Sequence, residues 1–337
     1  MVRSQVQSLQ VFRGFAALVV VAHHSALSTD AFVSRLPDSA KTLFDMGHLG
    51  VDFFFVLSGF IIMYAHMDDA ATLTASKRYV LKRLSRIYPA YLPVGMALLV
   101  LYAVMPDLSA SGGRHYSLIS SLLLLPADSR PALSVAWTLV HELMFYLVFV
   151  LFFVSRHWLA AGLLAWAALI FLVNYWYTPT GWLRYPLSLM NIEFILGVGA
   201  AWVVRYQISY KKAGWIAVLG AAIAICALLL MTQENGLYLR LVLAMGLALV
   251  IVGFTVHEQS SFLGWPALLL ILGNASYSIY LIHNPLLSIT QRVAGRMQLT
   301  WPLAMILGIV LSLFAGWLYY LSVERTALRF FQQRLRR

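Results

Sequence analysis

Few side chains in this sequence can do chemistry, and their spacing is informative. Arg13 and His24 stand eleven residues apart, about three helical turns, so they share one helix face and lie roughly 16 Å apart along its axis. Asp52 sits in Gly50-Val51-Asp52-Phe53-Phe54-Phe55-Val56-Leu57-Ser58-Gly59-Phe60, and Glu142 follows Trp137-Thr138-Leu139-Val140-His141. His283 closes the run Tyr277-Ser278-Ile279-Tyr280-Leu281-Ile282. A neutral imidazole, with an ordinary pKa of about 6.5, suits general-base work, and a carboxylate suits holding and charge-stabilising such a ring. Arg83 and Arg86, in Lys82-Arg83-Leu84-Ser85-Arg86-Ile87-Tyr88-Pro89, are one turn apart and can point the same way. Guanidinium forks match the oxygens of phosphate monoesters and pyrophosphate. Two sets emerge: His24 with Asp52 or Glu142 for proton transfer, and Arg13, Arg83 and Arg86 for an anion.

Plainer readings stand beside these. Arg83 and Arg86 also suit cationic anchors at one membrane face, and Asp52 and Glu142 suit polar contacts between helices. His23, His48 and His283 suit hydrogen-bonded packing, and Trp137 and Tyr146 suit interface aromatics. No His-Glu-x-x-His or similar compact ligand pair is present, so no metal site is expected. The single cysteine, Cys226, excludes an intramolecular disulfide framework and a multi-thiolate site. Its all-apolar surroundings predict a packing role.

The elements that must position these groups follow from composition. Of 337 residues, 61% are hydrophobic and 11% charged, and the mean hydropathy is +0.79. Such a chain requires lipid as solvent, and apolar runs of about 17 to 25 residues inside lipid must be helical to satisfy their own backbone. The pattern predicts an all-α, polytopic integral membrane bundle of about ten transmembrane helices, near 8–28, 48–66, 88–106, 134–154, 158–175, 186–204, 213–231, 238–256, 265–286 and 301–323. Residues 1–337 are expected to form a single domain with no appended soluble domain. The first apolar run carries Arg13, His23 and His24 and no small-residue cleavage site, so it is expected to stay as a helix rather than be removed as a signal peptide.

With both termini cytoplasmic, fifteen of the 24 Lys and Arg residues fall on the inner side, among them Arg3, Lys82, Arg83, Arg86, Arg336 and Arg337. Eight fall on the outer side, among them Arg35, Lys41, Arg114 and Arg240, and Arg13 completes the set. This bias predicts the N-in, C-in orientation. It also accounts for the net charge of +11 through anionic lipid head groups, leaving no need for nucleic acid. In that topology His24, Asp52, Glu142 and His283 come from four helices to a similar outer depth, while Arg13, Arg83 and Arg86 lie toward the inner surface. Ionisable groups at such depth are costly and ask for a partner, a cavity or a function.

At these residues the chain resembles the acyltransferase 3 family of membrane acyltransferases, which includes bacterial enzymes that O-acylate exopolysaccharides, lipopolysaccharide and other glycans. The resemblance rests on Leu9-Gln10-Val11-Phe12-Arg13-Gly14-Phe15-Ala16-Ala17 leading to His24, then Gly50 to Phe60, Arg83 to Pro89, Trp137-Thr138-Leu139 to Glu142, Phe145 and Tyr146, and Tyr277 to His283. The family's Glu-x-Pro near the end of the last helix is matched only in part, because Glu324 is followed by Arg325 and Thr326. The resemblance implies transfer of an acyl group, commonly acetyl, from acyl-coenzyme A to a hydroxyl of an exported polysaccharide or its lipid-linked precursor, at the bacterial inner membrane. It implies His24, Asp52 and Glu142 as catalytic residues, Arg13, Arg83 and Arg86 as binders of the coenzyme A phosphates, and Ser58, Trp137, Tyr146, Tyr280 and His283 in substrate-binding or supporting roles. Acetyl-coenzyme A enters as donor rather than as a resident cofactor. Direct attack assisted by His24 and transient acylation of His24 both remain open. A transporter or flippase of a glycan-type substrate is the alternative from another class, with the buried charges forming a path.

Overall fold

The computed structural model describes residues 6–105, 116–206, 210–232, 236–261 and 263–335. Arg3, Arg114, Arg336 and Arg337 of the charge count lie outside the described residues, as does most of the first half of the 107–133 loop. Among the described residues the chain is helical, with one isolated bridge between Tyr116 and Arg130. Eight helices are long and apolar enough to cross a membrane. The two further spans expected from the sequence correspond to a helix of 16 residues, Asn191–Tyr206, and one of 30 residues, Ala267–Arg296, neither of which is among the eight. The second carries Asn274, His283, Asn284, Gln291 and Arg292, which dilute its apolar character. Large side chains such as Trp215, Val218, Leu229, Ile306, Val310 and Phe314 are exposed, a distribution that lipid accepts and water does not. The protein is therefore a multi-pass membrane protein.

The chain divides into two compact units. The first comprises Met1–Asp68, Ile192–Tyr277 and Leu286–Leu313. It is built on α1 (Gln7–Phe32), the short α2 (Asp38–Asp45) and α3 (Gly50–His66). The second comprises Asp69–Asn191, Ser278–Pro285 and Phe314–Arg337. It holds α4 (Leu73–Val104), α5 (Leu118–Leu123), α6 (Trp137–Phe149) and α7 (Arg156–Trp176). The first unit continues with α8 (Asn191–Tyr206), α9 (Tyr210–Leu230) and α10 (Gly236–Ser260). Portions of α11 (Ala267–Arg296) and α12 (Trp301–Tyr319) belong to each unit, and α13 (Arg325–Leu335) ends the second.

In the first unit α3 and α8 approach so closely that a Cβ at Gly59 would collide with the Phe194 carbonyl and one at Gly197 with the Val56 carbonyl. Small residues at such crossings let backbones meet where lipid offers no hydrophobic drive. Phe55 stacks on Phe194 with centroids 4.4 Å apart beside the same crossing. Helices α9 and α10 form a hairpin with the same device: a Cβ at Gly246 would meet the Gly220 carbonyl. Cys226, for which packing is expected, is instead exposed on α9.

In the second unit α4 begins fifteen residues before the expected span 88–106, because the segment holding Lys77 to Arg86 is also helical. At 32 residues it is about 48 Å long, more than the roughly 30 Å hydrocarbon core needs. Thr72 caps its start by accepting from the Ala75 N–H. Pro89 and Pro93 lie inside it and each removes a helical hydrogen bond. Nearby tyrosines supply other contacts: Tyr319 donates to the Ala90 carbonyl at 2.8 Å, and Tyr91 donates to Ser121 O at 2.6 Å. Helix α12 runs through a π-helical turn, Tyr320–Glu324, into α13.

Candidate functional site

The first unit carries Arg13, His24, Asp52 and Ser58 of the expected site residues. Arg13 and His24 are both half-buried on α1, and Arg13 donates toward Gln10 Oε1 at 3.4 Å. Nδ1 of His24 stands 3.0 Å from the Val20 carbonyl one turn earlier. A carbonyl only accepts, so Nδ1 carries the proton of the neutral ring and Nε2 carries the lone pair. The helix backbone thereby fixes the tautomer a general base needs. His23 meets the His24 ring edge-on with centroids 5.1 Å apart, and its own Nδ1 faces the Phe44 carbonyl at 3.0 Å. His48 lies 5.7 Å from His23, centroid to centroid. Ser58 is half-buried on α3, next to the Gly59 crossing.

Asp52 is fully buried, and its hydrogen-bond partner is a guanidinium, where either a helix-pairing contact or an imidazole is expected. Arg240 Nε donates to Oδ1 at 2.7 Å and a terminal nitrogen donates to Oδ2 at 2.8 Å, the fork-to-fork geometry in which arginine binds carboxylates most strongly. Glu193 on α8, also fully buried, lies at the Asp52 carboxyl and within the field of Arg240. The sequence reading missed Glu193 altogether and counted Arg240 among outer-loop cations. A usable signal existed, since each is an ionisable residue inside an apolar helical run.

The second unit carries Arg83, Arg86, Trp137, Glu142, Tyr146, Tyr280 and His283. Tyr146 donates to Glu142 Oε1 at 2.5 Å, and the Arg83 guanidinium lies 5.8 Å from the centroids of both the Tyr146 and Tyr79 rings. The expected topology sets Arg83 toward the inner face and Glu142 toward the outer; the structure brings both to one tyrosine. The guanidinium is in cation–π range of two rings, and its buried Nε has no hydrogen-bond partner among the described residues, a donor left for an oxygen ligand. Arg86, one turn on, is half-buried.

Tyr280 and Thr138 hydroxyls meet at 3.0 Å, which ties α11 to the first turn of α6. His283 is fully buried, with Nδ1 2.8 Å from the Tyr280 carbonyl, so it shares the tautomer of His24 by the same helical device. Trp137 packs edge-on against His141 at 5.6 Å. His141 in turn is held by Asn191 Oδ1 at 2.9 Å. Glu324, only partly matched by the sequence motif, is buried within the π-helical turn and accepts from Ser278 Oγ at 2.6 Å. Such turns recur at functional positions. Among the described residues no three His, Cys, Asp or Glu side chains converge as metal ligands would.

A family described as an acyltransferase domain matches residues 6–321. The chain is 29% identical over 303 residues to the exopolysaccharide production protein ExoZ of Rhizobium meliloti (strain 1021), covering 85% of this chain and 91% of that protein. It is 31% identical over 157 residues to protein 2 in the picA locus of Rhizobium radiobacter, covering 40% of this chain and 76% of that protein. A third similarity, 28% over 173 residues, is to the acyltransferase MdmB of Streptomyces mycarofaciens, covering 47% of this chain and 44% of that protein. No solved structure matches the chain.

Proposed function

The chain belongs to this acyltransferase family, and on that premise we propose that it moves an acyl group, acetyl in the first instance, from acyl-coenzyme A to a hydroxyl of an exported polysaccharide or its lipid-linked precursor. The observation that carries the reading is the fixed tautomer of His24. Its Nε2 lone pair takes the hydroxyl proton as the sugar oxygen attacks the thioester carbonyl; the C–O bond forms, the C–S bond breaks, and the proton passes to the departing thiolate. The relation to an exopolysaccharide production protein along most of both chains supports a glycan acceptor. Arg83, with a buried donor left over, and Arg13 and Arg86 as further cations, suit the phosphates of coenzyme A. Glu142, held by Tyr146, supplies a second carboxylate. Asp52 acts through Arg240 rather than on the imidazole.

The family match runs through both compact units, which supports reading residues 1–337 as one transferase domain. The cation bias supports cytoplasmic termini in a bacterial inner membrane. The test is acetyl-coenzyme A binding by calorimetry in nanodiscs, for wild type, His24→Ala and Arg83→Ala/Arg86→Ala. Binding by the first two and its loss in the third is the expected result. A folded wild type that binds neither acetyl- nor succinyl-coenzyme A would overturn the reading.

A further inference from the structure

Within the first unit a cavity of about 610 Å³ opens beside His23, between the last turns of α1, the Asp38–Leu49 segment and the ends of α9 and α10 that face each other. Its volume lies within the roughly 300–1,000 Å³ typical of small-molecule sites. The charged groups of its wall are Asp30, Lys41, Asp45 and Arg240, with His23, His48, Thr42 and Thr232 as further polar groups, and the remainder is largely leucine and methionine. His23 lines it, and the His24 ring is that residue's neighbour at 5.1 Å. The cavity is thus separated by the His23 side chain from the residue to which the proton-transfer role falls.

Charge balance narrows what the cavity can hold. Lys41 is already paired with Asp30 at 3.2 Å, and Arg240 with the buried Asp52. Asp45 adds a further carboxylate. The wall has no surplus positive charge for a phosphate, and the carboxylates would repel one. A bare acyl chain would bury these charged groups against hydrocarbon, at a cost. A neutral pyranose ring satisfies both parts of the wall: its hydroxyls donate to carboxylates and accept from ammonium and guanidinium groups, while its C–H faces lie on leucine. Arg240 has the means to orient such a ring. Its two bonds to Asp52 use Nε and one terminal nitrogen, and the other terminal nitrogen keeps its two N–H donors.

We infer that this cavity is the acceptor subsite, receiving a neutral sugar ring, and that Arg240, held by Asp52, is the positioning residue that orients it. The inference rests on the transferase reading above and deepens it. Purified wild type in nanodiscs is given labelled acetyl-coenzyme A and, as acceptor, alkali-deacylated polysaccharide from the producing cells. Transfer kinetics and acetyl-coenzyme A affinity are then measured for Leu237→Trp, which fills the cavity, for Leu237→Ala, which enlarges it, and for Arg240→Lys, which keeps the charge and loses the fork. The expected result is a KM for polysaccharide raised at least tenfold in Leu237→Trp and Arg240→Lys and raised less in Leu237→Ala, which removes apolar contact without blocking entry, with donor affinity unchanged throughout. Weakened donor affinity in Leu237→Trp would assign the cavity to the donor. Unchanged KM in both Leu237→Trp and Arg240→Lys would leave it without a substrate role. Either result overturns the inference. A wild type that transfers nothing under these conditions defeats the transferase reading itself, which is a separate outcome.

Discussion

At His24 and His283 the carbonyl of the preceding helical turn is the hydrogen-bond partner, and at His24 this sets which nitrogen is basic. Removing that nitrogen should remove proton transfer without removing the donor site. His24→Ala is therefore expected to lose at least about 100-fold in transfer rate while binding acetyl-coenzyme A as wild type does, by single-turnover assay and calorimetry. At the Asp52 pair the expected effects differ by partner. Glu193→Gln keeps the shape of the side chain beside the Asp52–Arg240 pair and leaves that pair intact, so it should retain activity within about threefold. Arg240→Ala leaves Asp52 buried without its cation, a cost of about 3–5 kcal/mol, and should show as a lowered unfolding temperature in detergent. Arg240 was counted from the sequence as an outer cation but its pairing was not, because sign and count of charge are linear properties, whereas pairing across 188 positions is not.

At the scale of elements, the motif-bearing helices were legible because each apolar run is bounded and long, and because small residues in Gly50 to Phe60 announce a close crossing. Which helix makes that crossing was not legible: Gly59 and Gly197 meet α8 and α3 respectively only once the chain is folded. Replacing Gly197 with Leu should push α8 from α3, carry Glu193 off Asp52, and reduce the yield of monodisperse protein, read by fluorescence-detected size exclusion. The helical extension of α4 before residue 88 was missed because its charges broke the apolar run, although charge on a helix that outruns the hydrocarbon carries no penalty. The same extension places Arg83 over Tyr79 and Tyr146. Tyr146→Phe should lower the rate about tenfold or more if the Glu142 hydrogen bond holds that carboxylate for catalysis, and a rate equal to wild type would assign Tyr146 to packing.

At the scale of the molecule, composition alone dictated an all-helical membrane protein, and the structure agrees, with eight helices among the described residues meeting the length and apolarity of a span. The orientation rests on cation bias, and reporter fusions at each terminus should both signal the cytoplasm. The Asp52–Arg240 pair has a consequence for how the molecule is made. Asp52 is synthesised 188 residues ahead of its partner, and at about 5–20 residues per second the ribosome takes roughly ten to forty seconds to reach Arg240. For that interval α3 bears an uncompensated carboxyl that disfavours its entry into lipid, by about 2.5–3.5 kcal/mol on insertion scales. The helix must be sheltered by the insertion machinery until α10 arrives, so translation that stalls before residue 240 should leave α3 crosslinked to that machinery rather than to lipid.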